Sequence, residues 1–286
     1  MKKKFCPGEG NRVHQIQTAQ EAIQNNDYKK ALTELLYQLA DDDFLLAFRG
    51  SEWLGLAPHI EEDIAYSSIN QDTMGHAVMY YQLLEELGEG SADSLAHGRI
   101  ASERKNAIFT ELANGSGTYL EEPRYDWAFA VVRHYFYDIY KKLKLESLQK
   151  SSYQPLVTAA AKMKMELYYH IMHWKVWFNQ LCLSGGEGKT RMGAAIQKAW
   201  EEIGGLLSSG PDERLMAGFG LIEEPSAFLA RWEKEMKQVF EDAGLSYPGS
   251  PQMKQGDGRA GTHSKDLNQA LDTLNEVYAL DPQASW

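Results

Sequence analysis

Two histidines occupy corresponding places in two long segments of the chain. His76 ends the run Gln71-Asp-Thr-Met-Gly-His, and His170 ends the run Glu166-Leu-Tyr-Tyr-His. In helical bundles that hold two iron ions, such a histidine belongs to a Glu-x-x-His motif whose glutamate and imidazole both bind metal. The three-residue spacing places both side chains on one face of the helix. The residue three positions before each histidine therefore decides whether the motif is complete.

Neither position carries a glutamate, because Thr73 precedes His76 and Leu167 precedes His170. The two losses fall at equivalent places in the two halves of the chain, which is harder to obtain by chance than one mismatch. Replacement ligands such as Asp72 and Glu166 point about 100° away from the inward face, given 3.6 residues per turn. The pattern indicates a bundle that has lost its di-iron site.

Four long helices are predicted to position these residues. Apolar residues recur at three- and four-residue spacing in each, and breaks at Pro58, Gly88 and Pro155 separate the helices. The spacing predicts an all-α four-helix bundle with one crossover connection. The predicted helices cover 28–53, about 61–87, 125–148 and about 156–183.

The rest of the chain is predicted to add shorter elements and no strand longer than four or five residues. Residues 1–27 form a polar N-terminal extension with a short helix near 15–24, and residues 28–286 form a single helical domain. A loop around Asn114-Gly-Ser-Gly117 precedes the third long helix. Further helices are predicted at 91–98, 190–207, 213–218, 225–243 and 264–279.

Composition limits the class of protein. Of the 286 residues, 43% are hydrophobic and 24% are charged, as in soluble globular proteins. The net charge of −11 argues against a general nucleic-acid binder, and no run approaches the roughly 18 apolar residues of a membrane helix. Cys6 and Cys182 lie far apart and form no metal or redox spacing. We expect two reduced thiols, no membrane partner and a cytoplasmic protein.

Several longer motifs resemble the phenylacetate-catabolic oxygenase family, most closely its C-subunit type. The resemblance runs from Tyr28 to the end of the chain and leaves residues 1–27 outside the family pattern. The motifs are Gly50-Ser-Glu-Trp-Leu-Gly-Leu-Ala-Pro58, Gly75-His-Ala77, Glu166-Leu-Tyr-Tyr-His170, Gly258-Arg-Ala-Gly-Thr-His263 and the terminal Trp286.

The resemblance implies a ferritin-like bundle and identifies two more ligand positions. Glu52 matches the first-helix glutamate of the family's catalytic A subunit, and Asp138 matches its third-helix aspartate. The chain thus keeps Glu52, His76, Asp138 and His170, while Thr73 and Leu167 replace the bridging glutamates. We expect these to be vestigial positions with no bound metal, and we expect no catalytic or cofactor-binding residues.

The resemblance also implies a function and partners. The chain is expected to be a structural, non-catalytic subunit of a multicomponent phenylacetyl-CoA ring-1,2-epoxidase in aerobic phenylacetate degradation. The di-iron centre and the acyl-CoA site belong to the partner A subunit, while NADPH, flavin and iron–sulfur groups belong to a separate reductase. The alternative is a catalytically active, metal-dependent oxygenase of the ferritin-like class, and a homodimer in isolation is also left open.

The same residues also allow simpler, purely structural interpretations. We expect the histidines to be protonated and paired with neighbours such as Asp138 and Glu52, although one metal ion bound by all four is an alternative. Residues 41–43, Asp-Asp-Asp, are expected to form a solvated acidic patch.

Two other clusters allow more than one interpretation. The lysines near residues 141–144 suit the C-terminal dipole of the third helix or, less simply, acyl-CoA phosphates. Glu166, His170 and His173 offer a different metal-binding face on the fourth helix. Exposed aromatic side chains are the first candidates for a partner interface, among them Tyr135, Tyr137, Tyr140, Trp174 and Trp177.

Overall fold

The computed structural model describes residues 15–284, so Cys6 and Trp286 lie outside the described part of the chain. The α-helices are α1 Ala19–Ala22, α2 Asn26–Ser51, α3 Ile60–Glu86, α4 Ala92–His97, α5 Ile108–Glu111, α6 Trp127–Leu148, α7 Gln154–Leu183, α8 Gly186–Trp200, α9 Gly204–Leu207, α10 Glu213–Gly218, α11 Pro225–Asp242 and α12 Lys265–Leu274. Two strands, β1 Gly115–Thr118 and β2 Glu121–Tyr125, form an antiparallel hairpin. No described helix is long and apolar enough to cross a membrane.

The four long helices form two antiparallel pairs. Within the first pair, the Tyr81 hydroxyl near the end of α3 donates to Asp41 Oδ1 in the middle of α2 at 2.6 Å. Within the second, Phe136 in the first half of α6 packs against Phe178 near the end of α7, with ring centroids 5.6 Å apart. The ferritin-like, all-α fold predicted from the sequence is confirmed.

The two helix pairs differ in burial. Every residue of α2 from Gln38 to Gly50 and nearly every residue of α6 from Ala128 to Leu148 is buried, because shorter helices cover their outer sides. In contrast, α3 and α7 bury only one face each. Local signals set the helix starts: the Asn25 and Asp126 side chains accept backbone N–H groups at the N-termini of α2 and α6.

The long helices begin and end within about two residues of the predicted positions, but shorter elements differ. The helix predicted at 264–279 ends at Leu274. The predicted helix at 190–207 is divided after Trp200, where the backbone bonds to another segment: Gly204 N–H donates to the Gln252 carbonyl at 2.8 Å, and Gln252 N–H donates to the Trp200 carbonyl at 3.1 Å. The predicted loop before α6 contains the hairpin, whose first strand has a bulge at Gly117, where the backbone is left-handed.

The described part of the N-terminal segment packs against the bundle. Ile16 N–H donates to the Ser152 carbonyl at 2.7 Å, and Gln154 N–H donates to the Ile16 carbonyl at 2.8 Å. Ala19 and Ala22 of α1 are buried in the core. A division of the chain at residue 27 stays a prediction.

Three consecutive aspartates of α2 are fully buried, so the predicted solvated patch is wrong. Because successive helical residues point about 100° apart, each carboxylate meets a different part of the chain. Asp41 pairs with Arg99 and Arg104 of the crossover, Asp42 with Arg259 of the C-terminal segment at 2.6 Å, and Asp43 with Lys141 of α6 at 2.7 Å.

The partners decide the protonation of Asp41. Burial alone raises the pKa of this carboxyl, but Arg99 and Arg104 outweigh burial and lower the pKa to about 2. A buried charge without such a partner is strongly destabilising. The three aspartates therefore tie α2 to the crossover, to the C-terminal segment and to α6.

We expect Arg259→Met to lower the free energy of unfolding by about 3–5 kcal/mol, because it leaves the Asp42 carboxylate buried without its cation. Adding Asp42→Asn should recover part of the loss. The control is Lys254→Met, which removes a more exposed pair with Glu201 and should cost at most about 1 kcal/mol. Urea denaturation of the three variants measures the difference, and equal losses in Arg259→Met and Lys254→Met would contradict the prediction.

Candidate functional site

His76 lies in a chain of four polar groups at the centre of the bundle. Its Nδ1 is 2.8 Å from Lys141 Nζ, and its Nε2 is 2.7 Å from Glu166 Oε2. An ammonium group donates hydrogen bonds and accepts none, so Nδ1 accepts from Lys141 and Nε2–H donates to Glu166. His76 is therefore a neutral imidazole. Burial first, and then the positive charge of Lys141, lower the pKa of His76 far below its usual value.

Lys141 is held from its other side by a carboxylate. Its Nζ donates to both oxygens of Asp43, at 2.7 and 2.8 Å, and the Tyr137 hydroxyl donates to Asp43 Oδ1 at 2.7 Å. The side chains of Lys141 and Asp43 are almost completely buried. The ammonium thus connects α2, α3 and α6 through Asp43 and His76.

The other histidines of the site pair with carboxylates across the same two helices. His170 Nε2 of α7 lies 3.0 Å from Asp72 Oδ2 of α3, and His173 Nε2 lies 3.1 Å from Glu62 Oε2. Burial lowers the pKa of both histidines, and the neighbouring carboxylates oppose that shift. With His76–Glu166, these pairs form the α3–α7 seam, a row of three histidine–carboxylate contacts.

Asp138 lies one helical turn before Lys141 on α6. Burial raises the pKa of its carboxyl well above the usual value, and the Lys141 charge only partly offsets this. Its Oδ2 is buried and has no hydrogen-bond partner among the described residues. An ionised carboxylate without partners would be too costly at such a place, so Asp138 is protonated at neutral pH.

Glu52 lies away from the histidines. It follows the last turn of α2, where it accepts from Arg49 Nη1 at 3.1 Å and from Asn114 Nδ2 at 2.8 Å. Nine residues separate it from Asp43, which is about 13 Å along the helix at 1.5 Å per residue. The carboxylate of α2 that lies level with His76 is therefore Asp43. The expectation that Glu52 and Asp138 pair with the histidines is wrong, as is the expectation that His76 is protonated.

These residues do not fit a di-iron centre. Lys141 places a positive ammonium within hydrogen-bond distance of the two groups, Asp43 and His76, that would have to bind a cation. Thr73 uses its hydroxyl to bond the Ile69 carbonyl at 2.8 Å, and Leu167 is packed in the core. No group of three or more potential metal ligands comes together among residues 15–284.

The sequence analysis missed or misassigned the residues that complete the site. Lys141 and Lys144 are buried in the bundle, so the predicted role at the helix C-terminus is wrong for both. Glu166, His170 and His173 make three separate pairs instead of one metal-binding face. The sequence contained one indication that Lys141 is part of the site: it follows Asp138 by three residues and so lies on the same inward face of α6.

Comparison with known proteins supports the motifs described above. The family model described as phenylacetic acid catabolic protein matches residues 8–286. The chain belongs to this family. Another protein of similar sequence is the C subunit of the 1,2-phenylacetyl-CoA epoxidase of Escherichia coli (strain K12), which is 27% identical over 256 residues, covering 89% of this chain and 99% of that protein.

The family assignment confirms the resemblance seen in the motifs and extends it. The match begins at residue 8, so it includes most of the N-terminal segment that the sequence analysis left outside the family pattern. In this member of the phenylacetic acid catabolic family, the inward positions of the bundle hold an ammonium and its hydrogen-bond partners.

The two aspartates near Lys141 should respond differently to replacement by asparagine. Asp43→Asn should cost about 3–5 kcal/mol of unfolding free energy, because it leaves the Lys141 ammonium without its carboxylate. Asp138→Asn should be neutral or stabilising at pH 7, because asparagine resembles the protonated carboxyl already present.

Their pH dependence provides a second check. The folded pKa of Asp138 is raised, so its contribution to stability is present below the unfolded pKa of about 3.9 and is lost as the pH rises. The gain from Asp138→Asn should therefore grow in denaturation experiments as the pH rises above about 4. A large loss in Asp138→Asn at pH 7 would show that Asp138 is ionised and paired.

Proposed function

We propose that this chain is a structural, non-catalytic subunit of a multicomponent phenylacetyl-CoA epoxidase. The observation that carries the proposal is Lys141, whose ammonium lies between Asp43 and His76 where a catalytic bundle needs metal. The similarity to a protein named as the C subunit of such an epoxidase supports the assembly. Its role is to bind the catalytic subunit and support the structure in which ring epoxidation takes place during aerobic phenylacetate degradation.

The cofactors of the reaction are then carried by other chains. We assign the di-iron centre and the acyl-CoA site to a catalytic partner, and NADPH, flavin and iron–sulfur groups to a reductase. In this chain, the neutral His76, the protonated Asp138 and the apolar Leu167 supply neither the charge nor the ligand set for oxygen activation. A cytoplasmic location is part of the same proposal.

A candidate surface for the partner is the outer face of α3 and α7. On α7, large apolar side chains are exposed at three- to seven-residue intervals, including Met165, Tyr169, Met172, Val176 and Leu183. Contiguous apolar surface of this kind is typical of protein interfaces.

The facing side of α3 continues this surface. Ile60, Ile64 and Val78 are exposed on it, and the exposed residues between Ile64 and Val78, which are Ser68, Gln71 and Gly75, carry no charge. Glu61, next to Ile60, is exposed and charged. Since both helices run the length of the bundle, the face suits the long helices of a second bundle, such as the catalytic subunit.

The aromatic side chains first suggested for the interface occupy other places. Tyr135, Tyr137, Tyr140 and Trp174 are buried, and Trp177 packs against the core. The exposed aromatic residues of α7 are Tyr168 and Tyr169, at 61% and 70% exposure. The helical period explains the error, because the suggested residues lie on inward or covered faces of α6 and α7.

We expect the purified chain, after incubation with Fe(II) and removal of excess metal, to hold far less than one iron per chain. Elemental analysis measures this directly. The double variant Thr73→Glu, Leu167→Glu restores the missing glutamates but should be destabilised, because it buries two carboxylates. Since Lys141 still supplies the internal cation, Fe(II) should not restore its stability. Two irons per wild-type chain would overturn the proposal and favour an active oxygenase.

The partner surface makes a separate prediction. Val176→Asp should weaken co-purification with the catalytic subunit of the same organism at least about tenfold, because it places a charge in the apolar face. Leu229→Asp on α11 is the control, since Leu229 is also an exposed apolar residue but lies on another side. Equal binding by wild type and Val176→Asp in a pull-down titration would exclude this face, and no binding by wild type would contradict the assembly.

A further inference from the structure

A cavity of about 270 Å³ opens between α2 and α3, next to the short connection that joins them. The space exists because small residues line both helices. Ala47, Gly50 and Ser51 lie on one side of α2, and Ser67 lies opposite them on α3. Gly50 is required for this arrangement, since a Cβ there would lie 1.9 Å from Asn70 Oδ1.

The buried wall of the cavity is aromatic and contains unused polar groups. Trp53 and Tyr66 line it and are almost completely buried. Asn70 also lines it and is 7% exposed, and its Oδ1 has no hydrogen-bond partner among the described residues. The same holds for the indole Nε1 of Trp53. Buried polar atoms without partners are uncommon in folded proteins, and a bound water, ion or ligand at the site can complete their hydrogen bonding.

The charge of the lining selects the class of ligand. Asp63 is the one charged residue among the described residues that line the cavity, and its Oδ1 accepts the Gly55 N–H at 2.6 Å. Within residues 15–284, no lysine, arginine or histidine lines the space. A carboxylate or phosphate would therefore meet a negative charge with nothing to compensate it, so free acids and acyl-CoA thioesters are disfavoured.

We propose that this cavity binds one small, neutral aromatic molecule, with its ring between Trp53 and Tyr66 and a polar substituent at the Asn70 carboxamide. The volume agrees, because an apolar cavity of about 150 Å³ holds benzene and the larger space here admits a ring with a short side chain. The site is separate from the buried histidines, and the inference does not depend on the proposed function.

Binding is tested on the isolated chain with two probes that share one ring, phenylacetamide and phenylacetate. Tryptophan indole N–H signals in a ¹H–¹⁵N NMR titration report occupancy. Phenylacetamide should shift the Trp53 signal in a saturable manner, and phenylacetate should bind at least about tenfold more weakly because of its charge. Phenylacetate binding as tight as the amide, or no saturable shift with either probe, would overturn the proposal.

Two neighbouring serines provide matched variants. Ser67→Leu fills the cavity and should weaken phenylacetamide binding at least about tenfold, whereas Ser68→Leu changes an exposed position and should leave it unchanged. If Ser67→Leu does not fold, Met74→Ala serves instead. Met74 lines the cavity, so its truncation should preserve phenylacetamide binding and admit the larger naphthylacetamide, which wild type excludes. Identical selectivity in Met74→Ala and wild type would place the ligand elsewhere.

Because no partner subunit is present in these titrations, their outcome is independent of whether the chain joins an epoxidase. Loss of partner binding in Val176→Asp leaves the cavity result unaffected, since Val176 lies on α7 and does not line the cavity.

Discussion

The buried ion pair between Asp43 and Lys141 determines how the centre of this bundle is organised. A single buried charge is strongly unfavourable, so the carboxylate and the ammonium require each other. Two N–H groups of the Lys141 ammonium bond Asp43, and the third donates to His76. That bond fixes the tautomer of the imidazole, which in turn directs Nε2–H toward Glu166 on α7. One ion pair thus orients side chains from all four long helices.

The same interaction balances inward-facing charge of the bundle with the chain's own side chains. Metal ions neutralise inward-facing carboxylates and crosslink the helices that supply them. In this bundle few inward-facing side chains are charged: Thr73 and Leu167 carry no charge, Asp138 is protonated and His76 is neutral. The single ammonium of Lys141 is then sufficient to neutralise Asp43, the carboxylate that lies level with His76. The helical framework thus holds an ammonium and its hydrogen-bond partners at its centre.

The sequence predicted the helices well because their apolar period and capping residues are local signals. The partners of the buried charges could not be predicted in the same way. Asp42 and Arg259 are 217 residues apart in the chain, and neither segment indicates the other. Glu52 was misplaced for a related reason, since family motifs align residues without fixing their height along a helix. Lys141 was assigned to the C-terminal dipole of its helix because lysines near a helix end commonly interact with it.

The α3–α7 seam connects the buried site to the surface that we assign to the partner. Glu166 and Asp72 hold the histidines from outside, and their side chains remain 36% and 40% exposed between apolar neighbours. A partner that covers this face removes water from both carboxylates. Desolvation disfavours the ionised form unless the partner supplies donors or the histidines take up protons. A partner surface that leaves the histidines neutral must therefore combine apolar side chains with hydrogen-bond donors opposite Glu166 and Asp72, a requirement that a purely apolar helix pair would not meet.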